Sequence, residues 1–321
     1  MLRSQDIEVV LPTYNGEQFL EAQLNSIYNQ TLRPIRVLLR DDCSADSTIQ
    51  IINSLQDKYG NWLHRLPSDE NLGCVGNINK LLESSSSSYI ALSDQDDIWL
   101  PHKLEKSFAQ IQYLENIYTS STPLLVHCDL DLVDQYGAYL QSSFLQRQRL
   151  NPKRICLKDL ALTNVVTGCT SLFNRSLLQI ALPIPSTAMM HDWWLALVAS
   201  SFGYISFLDE SLVLYRQHGT NVIGSQGLGI NYWLNNVWKL AHMNSSEIPL
   251  YSVLRQYQTF QKRYSLNSDS FLNLLTIERT KRFQALLKVP FSRWPCKHGM
   301  LRSIGLYILL FTLPIATCDN L

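Results

Sequence analysis

Aspartates gather at three places where an apolar stretch of this chain meets a polar one. Asp41-Asp42 follows residues 35–39, Asp94-Gln95-Asp96-Asp97 follows residues 89–93, and Asp192 lies in His191-Asp192-Trp193-Trp194. Carboxylates packed together repel, so a cation, hydrogen-bond donors or shared protons must hold them. Hard oxygen ligands suit Mg2+ or Mn2+, and Mg2+ typically takes one or two carboxylates plus phosphates and waters. A solvated acidic turn, with Asp97 capping the following helix, would use the same residues. The second acid pair at another strand end favours the metal. Asp41-Asp42 and Ser44 would also serve to stop a strand and cap a helix. Alternatively, a carboxylate there accepts the imide N–H of a pyrimidine, and Tyr14 stacks on that base.

Two more segments carry chemistry. Asp192 heads a helical pattern, as an N-cap or as a general base that takes a proton from a hydroxyl. Trp193 and Trp194 beside it are either core and rim or an apolar wall for a sugar ring. Tyr215-Arg216-Gln217-His218-Gly219 follows an apolar run. The Arg216 fork suits phosphate oxygens, and a neutral His218 suits a metal. Gly168, within TGCTS, marks a tight bend or a close approach of backbone to substrate.

These residues need a frame. Residues 7–11, 35–39, 89–93 and 124–128 read as buried strands. Helical spacing covers 17–30, the stretch after Ser44 (Ile49, Ile52, Leu55), 71–83, and the stretch after Pro101 (Leu104, Phe108, Ile111, Leu114). The alternation predicts an α/β sheet, parallel at least in its first half. Ligands of open α/β sheets bind outside the carboxyl ends of the strands, so the acids and Tyr14 are expected on one rim. The second half is less regular. Residues 129–160 read as loops and short pieces, 164–173 as a strand, 193–201 as a helix, 205–215 as short strands, and 230–290 as helical. A boundary near 225 divides the chain into 1–225 and 226–321.

Composition narrows the function. With 321 residues, 46% hydrophobic and no net charge, the chain is neither disordered nor a disulfide-stapled miniprotein. Residues 1–227 carry 16 Lys+Arg and 23 Asp+Glu, hence −7, and residues 228–321 carry 11 and 4, hence +7. The acidic body argues against a nucleic-acid binder. Seven cysteines, an odd number without a CxxC pair, argue against a zinc site or disulfide framework and for reduced thiols in a cytosol. Residues 1–6 are too short and polar for a signal peptide. The longest apolar run, 304–316, has 13 residues, short of the ~20 a spanning helix needs. The basic tail intersperses Trp233, Trp238, Tyr251, Tyr257, Trp294 and Tyr307 among its cations. That mixture suits a membrane interface or a helical cap packed on the body.

The motifs resemble a known family. VVLPTYNGEQFL at 9–20, RDDCSADST at 40–48 and SDQDDIWLPHKL at 93–104 resemble family 2 glycosyltransferases. NVVTGCTSLFNRSLL at 164–178, HDWWLALVAS at 191–200 and LYRQHGTNVIG at 214–224 resemble the rhamnosyltransferase branch, which builds bacterial polysaccharides from dTDP-L-rhamnose. The resemblance implies a GT-A fold, a Rossmann-like mixed sheet flanked by helices, with a helical C-terminal region. It implies a nucleotide pocket of Pro12, Thr13, Tyr14, Asn15, Asp41, Asp42 and Asp94. Asp94 and Asp96 form its DxD pair. Asp96, Asp97 and His218 would hold Mg2+ or Mn2+, Asp192 would be the catalytic base, and Gly168, Trp193, Trp194 and Arg216 would line the acceptor or sugar pocket. The donor would be a dTDP-, UDP- or GDP-sugar. The acceptor would be a lipid-linked saccharide or polysaccharide at the cytoplasmic face of the plasma membrane, with the enzyme peripheral there. Cys43 stands where the family usually has Gly; a positive φ there would cost stability. Two other functions use parts of the pattern. A nucleotidyltransferase tends to carry a Gly-rich phosphate loop after strand one, where this chain has PTYNGE. A catalytically silent nucleotide-sugar binder or scaffold would be favoured by loss of the DxD pair or Asp192, and both are present.

Overall fold

The computed structural model describes residues 6–219 and 249–266. These fall into two compact units: residues 6–155, 165–186 and 190–219 in one, residues 156–164, 187–189 and 249–266 in the other.

The first unit is a sheet flanked by helices. Its chain runs β1 (Ile7–Thr13), α1 (Leu20–Tyr28), β2 (Arg36–Asp41), α2 (Thr48–Tyr59), β3 (Leu63–Arg65), α3 (Gly73–Ser84), β4 (Tyr89–Leu92), β5 (Ile98–Trp99), α4 (Lys103–Tyr118), β6 (Leu124–Asp134), β7 (Tyr139–Gln141) and α5 (Phe144–Arg147). After α6 (Leu157–Leu160), which belongs to the second unit, come β8 (Leu172–Asn174), α7 (Arg175–Ala181), α8 (His191–Phe202) and β9 (Tyr204–Gln217). The strand order is β3-β2-β1-β4-β8-β6-β9-β5, with β7 beside β6. β1 pairs in parallel with β2 and β4, and β6 with β9. β8 is antiparallel to β4 and β6, and β5 to β9.

The continuous apolar runs of β1 and β4 explain their central places. Strands covered on both faces are apolar throughout, not alternating, and Val9, Val10, Leu11, Ile90, Ala91 and Leu92 are all fully buried. The exception is Glu8, also fully buried. Arg36 and Ser85 bond its carboxylate, and the N–H groups of Ser86 and Ser87 donate to Oε2 at 3.0 and 3.2 Å. Burial alone would raise its pKa, but these donors and the Arg36 charge bring it below the usual value. The serine run of 84–88, in sequence a polar connector, thus serves to satisfy a buried carboxylate.

Several elements differ from expectation. Residues 205–215 lie in one 14-residue strand, β9. Residues 129–134 continue β6. Residues 165–171 are mostly loop, with a single 3-10 turn at Gly168–Thr170, and β8 has only three residues. β3 and β5 have three and two; each extends an edge of the sheet by borrowing hydrogen bonds from a longer neighbour.

In the second unit, helix α9 (Pro249–Tyr264) lies within the expected helical stretch. Tyr257 and Phe260 are buried on it, with ring centroids 6.4 Å apart. Gln256 Oε1 accepts the Met189 N–H at 2.7 Å, and Thr187 and Thr259 hydroxyls bond at 2.9 Å. The rest of the basic tail, including Trp233, Trp238, Trp294, Tyr307 and the apolar run 304–316, lies outside the described residues. Among the described residues no helix is long and apolar enough to cross a membrane.

Candidate active site

Topology brings the motif residues to one rim. β1, β2 and β4 run parallel, so Tyr14, Asp42 and Asp94 leave the sheet on the same edge. β8 is antiparallel to β4, with Ala91 opposite Leu172, so the turn before it sets Gly168 and Cys169 beside that edge. β5 pairs with β9 through Ile98–Leu214 and Trp99–Val213. The five-residue loop between β4 and β5, residues 93–97, is thereby held against the end of β9, which carries Arg216 and is followed by His218.

The loop after β1 is tied to its neighbours by backbone donors. Asn15 adopts a left-handed φ of 49°, which Asn tolerates better than most residues. Its N–H donates to Ser44 Oγ, its Oδ1 accepts from the Ala45 N–H, and the Gly16 N–H donates to Thr48 Oγ1, each at 2.8 Å. The Tyr14 N–H donates to Gln95 Oε1 and Gln95 Nε2 donates to the Tyr14 carbonyl, both at 2.9 Å. A Cβ on Gly16 would stand 2.3 Å from Gln95 Oε1, so this latch needs glycine. The Tyr14 ring is half exposed, open to a stacking partner, and Pro12 is half-buried.

The two acids after β2 do different work. Asp41 is buried and accepts from Thr13 Oγ1 (2.9 Å), Ser44 N–H (2.8 Å) and Ser44 Oγ (2.6 Å). Thr13 is buried too. Thr13 and Asp41, expected in the nucleotide pocket, thus bond to each other and to Ser44 beneath the surface. Asp42 accepts from Arg40 Nη1 at 3.0 Å and from the N–H groups of Leu72 and Gly73, each at 2.8 Å. A carboxylate offers about four acceptor positions, so one more donor can be received. Cys43 has φ 63°, the strained geometry foreseen for a residue replacing Gly.

The acidic loop divides into two groups. Asp96 Oδ2 meets His218 Nε2 at 2.8 Å. Asp94, Asp97 and Cys169 turn one ligand atom each toward a common point, all within 4.8 Å of one another. Asp97 is fully buried; its Oδ1 accepts the Arg216 N–H at 3.3 Å and its Oδ2 has no partner among the described residues. Burial, then the nearby Asp96 and Asp192, push the Asp94 carboxyl up to about 7. Burial, Asp96 and Asp94 raise Asp97 well above its usual value. Crowded carboxylates with an orphaned buried oxygen and a carboxylate–imidazole pair fit a hard divalent cation. Arg216, expected in the acceptor or sugar pocket, lies against this same loop. It is 5% exposed, its Nε and Nη1 donate to the Asp96 and Gln135 carbonyls at 2.9 and 3.0 Å, and its guanidinium lies 4.8 Å from the Phe19 ring centroid. These contacts brace the acidic loop.

Asp192 sits in the first turn of α8, where the helix dipole favours negative charge. Its Oδ2 accepts the Gly168 N–H at 2.9 Å and its Oδ1 the Trp193 N–H at 2.5 Å. A Cβ on Gly168 would come within 3.0 Å of His191 Nε2 and 3.5 Å of Asp192 Oδ2. The tight bend at Gly168 is thus the seat of Asp192. Trp193 is half-buried. Trp194, expected as a pocket wall, is fully buried, and its indole N–H bonds the Ala181 carbonyl at 3.0 Å.

One thiol shows the convergence. Cys74, second residue of α3, is pushed up to about 12 by desolvation and then by the charges of Asp94, Asp192 and Asp42. Acids from three distant segments therefore act on a single point. Gln95, Cys74 and Cys169 were not singled out from sequence. For Gln95, the signal was Gly16, whose missing side chain makes room for it.

Comparisons with known proteins agree on a family. The model for Glycosyl transferase family 2 matches residues 8–180. The dTDP-rhamnosyl transferase RfbG of Shigella flexneri is 29% identical over 229 residues, 67% of this chain and 74% of that one. The putative teichuronic acid biosynthesis glycosyltransferase TuaG of Bacillus subtilis is 28% identical over 212 residues, 65% of this chain and 78% of that one. Among solved structures, the mannosyltransferase PcManGT from Pyrobaculum calidifontis, in complex with GDP-Man and Mn2+, matches at TM-score 0.50 and 16% identity, over 96% of this chain and 81% of that one. This last likeness is one of fold alone.

Proposed function

The chain belongs to glycosyl transferase family 2 and has the GT-A fold, and from that premise we propose that it is an inverting, metal-dependent rhamnosyltransferase. It moves L-rhamnose from dTDP-rhamnose to a hydroxyl of a growing cell-surface polysaccharide. The observation that carries this reading is that the parallel strands β1, β2 and β4 bring Asp42 and Asp94 to one edge, beside which the Gly168 N–H holds Asp192, because transfer needs a nucleotide contact, a charge-neutralising loop and a base close together. The likeness to RfbG supports rhamnose as the sugar.

Each residue has a task. The exposed ring of Tyr14 stacks on the pyrimidine, and the fourth acceptor position of Asp42 takes the base imide N–H. Asp94, Asp96, Asp97 and His218 would hold Mg2+ or Mn2+, which when bound supplies positive charge to the leaving diphosphate. Asp192, fixed by two backbone donors, removes the proton of the acceptor hydroxyl. That oxygen bonds the anomeric carbon on the face opposite the diphosphate. The carbon–phosphate oxygen bond breaks, both its electrons leave with the diphosphate, and the configuration inverts without a covalent enzyme intermediate. Half-buried Trp193, next to Asp192 in the chain, would offer its ring to the sugar.

The test is Asp192→Asn with labelled nucleotide sugars. Transfer is expected to fall by at least about 100-fold, while thermal stabilisation by dTDP-rhamnose with Mn2+ stays as in the unaltered chain. Loss of donor binding in step with activity contradicts the role of Asp192. Stabilisation by UDP- or GDP-sugars in preference to dTDP-rhamnose contradicts the donor.

A further inference from the structure

Three large apolar side chains stand in water on one short hairpin. Tyr136, Tyr139 and Leu140 are 82, 60 and 53% exposed. The hairpin joins β6 to β7 and is firmly built. Asp134 Oδ1 accepts the N–H groups of Tyr136 and Ala138 at 2.9 and 2.8 Å, and its backbone pairs with Gly137 and Ala138. Gly137 takes a left-handed φ of 87°, which closes the turn without strain. No such turn needs apolar side chains at its tip. Clustered exposed apolar groups mark interaction surfaces.

Its position gives the occupant. β6 and β9 run in parallel register, Val133 opposite Arg216 and Asp134 opposite Gln217. The next residue after Gln217 is His218, the partner of Asp96. Arg216 donates to the Gln135 carbonyl in the hairpin and to the Asp96 carbonyl in the acidic loop. One guanidinium thus bridges the hairpin backbone and the loop proposed to face the diphosphate. The segment DQYGAYLQ from 134 to 141 has one acid and no cation, so it offers nothing to an anionic headgroup. Carboxylate, amide and phenol groups beside flat rings instead suit a neutral partner rich in hydroxyls.

We propose that Tyr136, Tyr139 and Leu140 form the platform for the acceptor saccharide, with C–H faces of its sugar rings laid on the negative π-faces of the tyrosines. This rests on the transferase reading, since transfer requires a second, hydroxyl-bearing substrate.

The experiment uses the full chain and its Tyr136→Ala, Tyr139→Ala and Leu140→Ala variants. Methyl glycosides of rhamnose, glucose and N-acetylglucosamine are titrated by saturation-transfer NMR, with the folded state checked by circular dichroism. At least one glycoside is expected to bind the unaltered chain, and each tyrosine variant to bind it roughly tenfold more weakly, as for removal of an aromatic anchor. Thermal stabilisation by nucleotide sugar with Mn2+ is expected to be equal in all four proteins. The platform is overturned if no glycoside binds, or if the variants bind as the unaltered chain does. It is also overturned if the variants lose sedimentation with anionic vesicles while keeping saccharide affinity. If no nucleotide sugar stabilises any of the proteins, the transferase reading fails separately, and the glycoside titration still judges the platform.

Discussion

At the scale of single residues, Cys43 is a test of backbone strain. An L-residue in the left-handed region costs about 1–2 kcal/mol, and Cys43 stands there at φ 63°. Cys43→Gly is expected to raise stability by about 1 kcal/mol, or roughly 2–4 °C in melting temperature for a domain of this size, read by thermal denaturation. Asp94 carries a pH dependence. A free aspartate loses its proton near 3.8, whereas this one holds it to about 7. Between those values the folded chain binds a proton that the unfolded chain does not, so Asp94 makes stability fall as pH rises through that window and level off above it. Asp94→Asn removes this slope. The variant's urea midpoint should gain on the unaltered chain from about pH 4 to 7, and stabilisation by added Mn2+ should grow more steeply over the same window in the unaltered chain than in the variant. A midpoint difference flat with pH would refute it. Side-chain type was legible here and side-chain fate was not. Asp192 and Trp194 are near neighbours in one motif, yet one sits at the helix mouth and the other in the core. Tryptophan serves both places, and only the helix phase against the sheet decides which.

At the scale of elements, the latch between the loop after β1 and the acidic loop makes a sharp prediction. Gly16→Ala drives its new methyl into Gln95 Oε1 and should break the paired bonds to Tyr14. Gln95→Ala breaks the same bonds directly. Each should weaken nucleotide binding by several-fold, and the double variant should be no worse than the worse single one, since coupled neighbours do not add. Calorimetric titration with dTDP and Mn2+ reads this; additive losses would separate the two residues. The early elements were legible because β1, β2 and β4 are continuous apolar runs and the helices between them keep a 3.6-residue spacing. β3, β5 and β8 were not. Two or three residues hold no period, and such strands exist only because a longer neighbour offers hydrogen bonds. β5 matters most: Ile98 and Trp99 are unremarkable in sequence, yet their pairing with β9 brings Asp96 to His218.

At the scale of the whole molecule, the chain is neutral only in sum, with −7 before residue 228 and +7 from there on. Basic segments gain about 1 kcal/mol per cation near an anionic bilayer, and salt screens that attraction. The full chain is expected to sediment with phosphatidylserine vesicles at low ionic strength and to be released at high. Equal binding to neutral vesicles would refute an electrostatic attachment. The order of motifs along the chain foretold the fold and the shared rim of Tyr14, Asp42 and Asp94, because the parallel strands β1, β2 and β4 deliver their ends to one edge. The hairpin platform was not foretold, because tyrosines between strand-like stretches look the same inside a protein as outside it. Arg216 gives the molecule one more property. A single rigid, planar cation grips two carbonyls, Gln135 in the hairpin and Asp96 in the acidic loop. If a glycan rests on the hairpin and a donor on the loop, a shift passed through this cation would link the two, and reciprocity then requires each to change the other's affinity by the same factor.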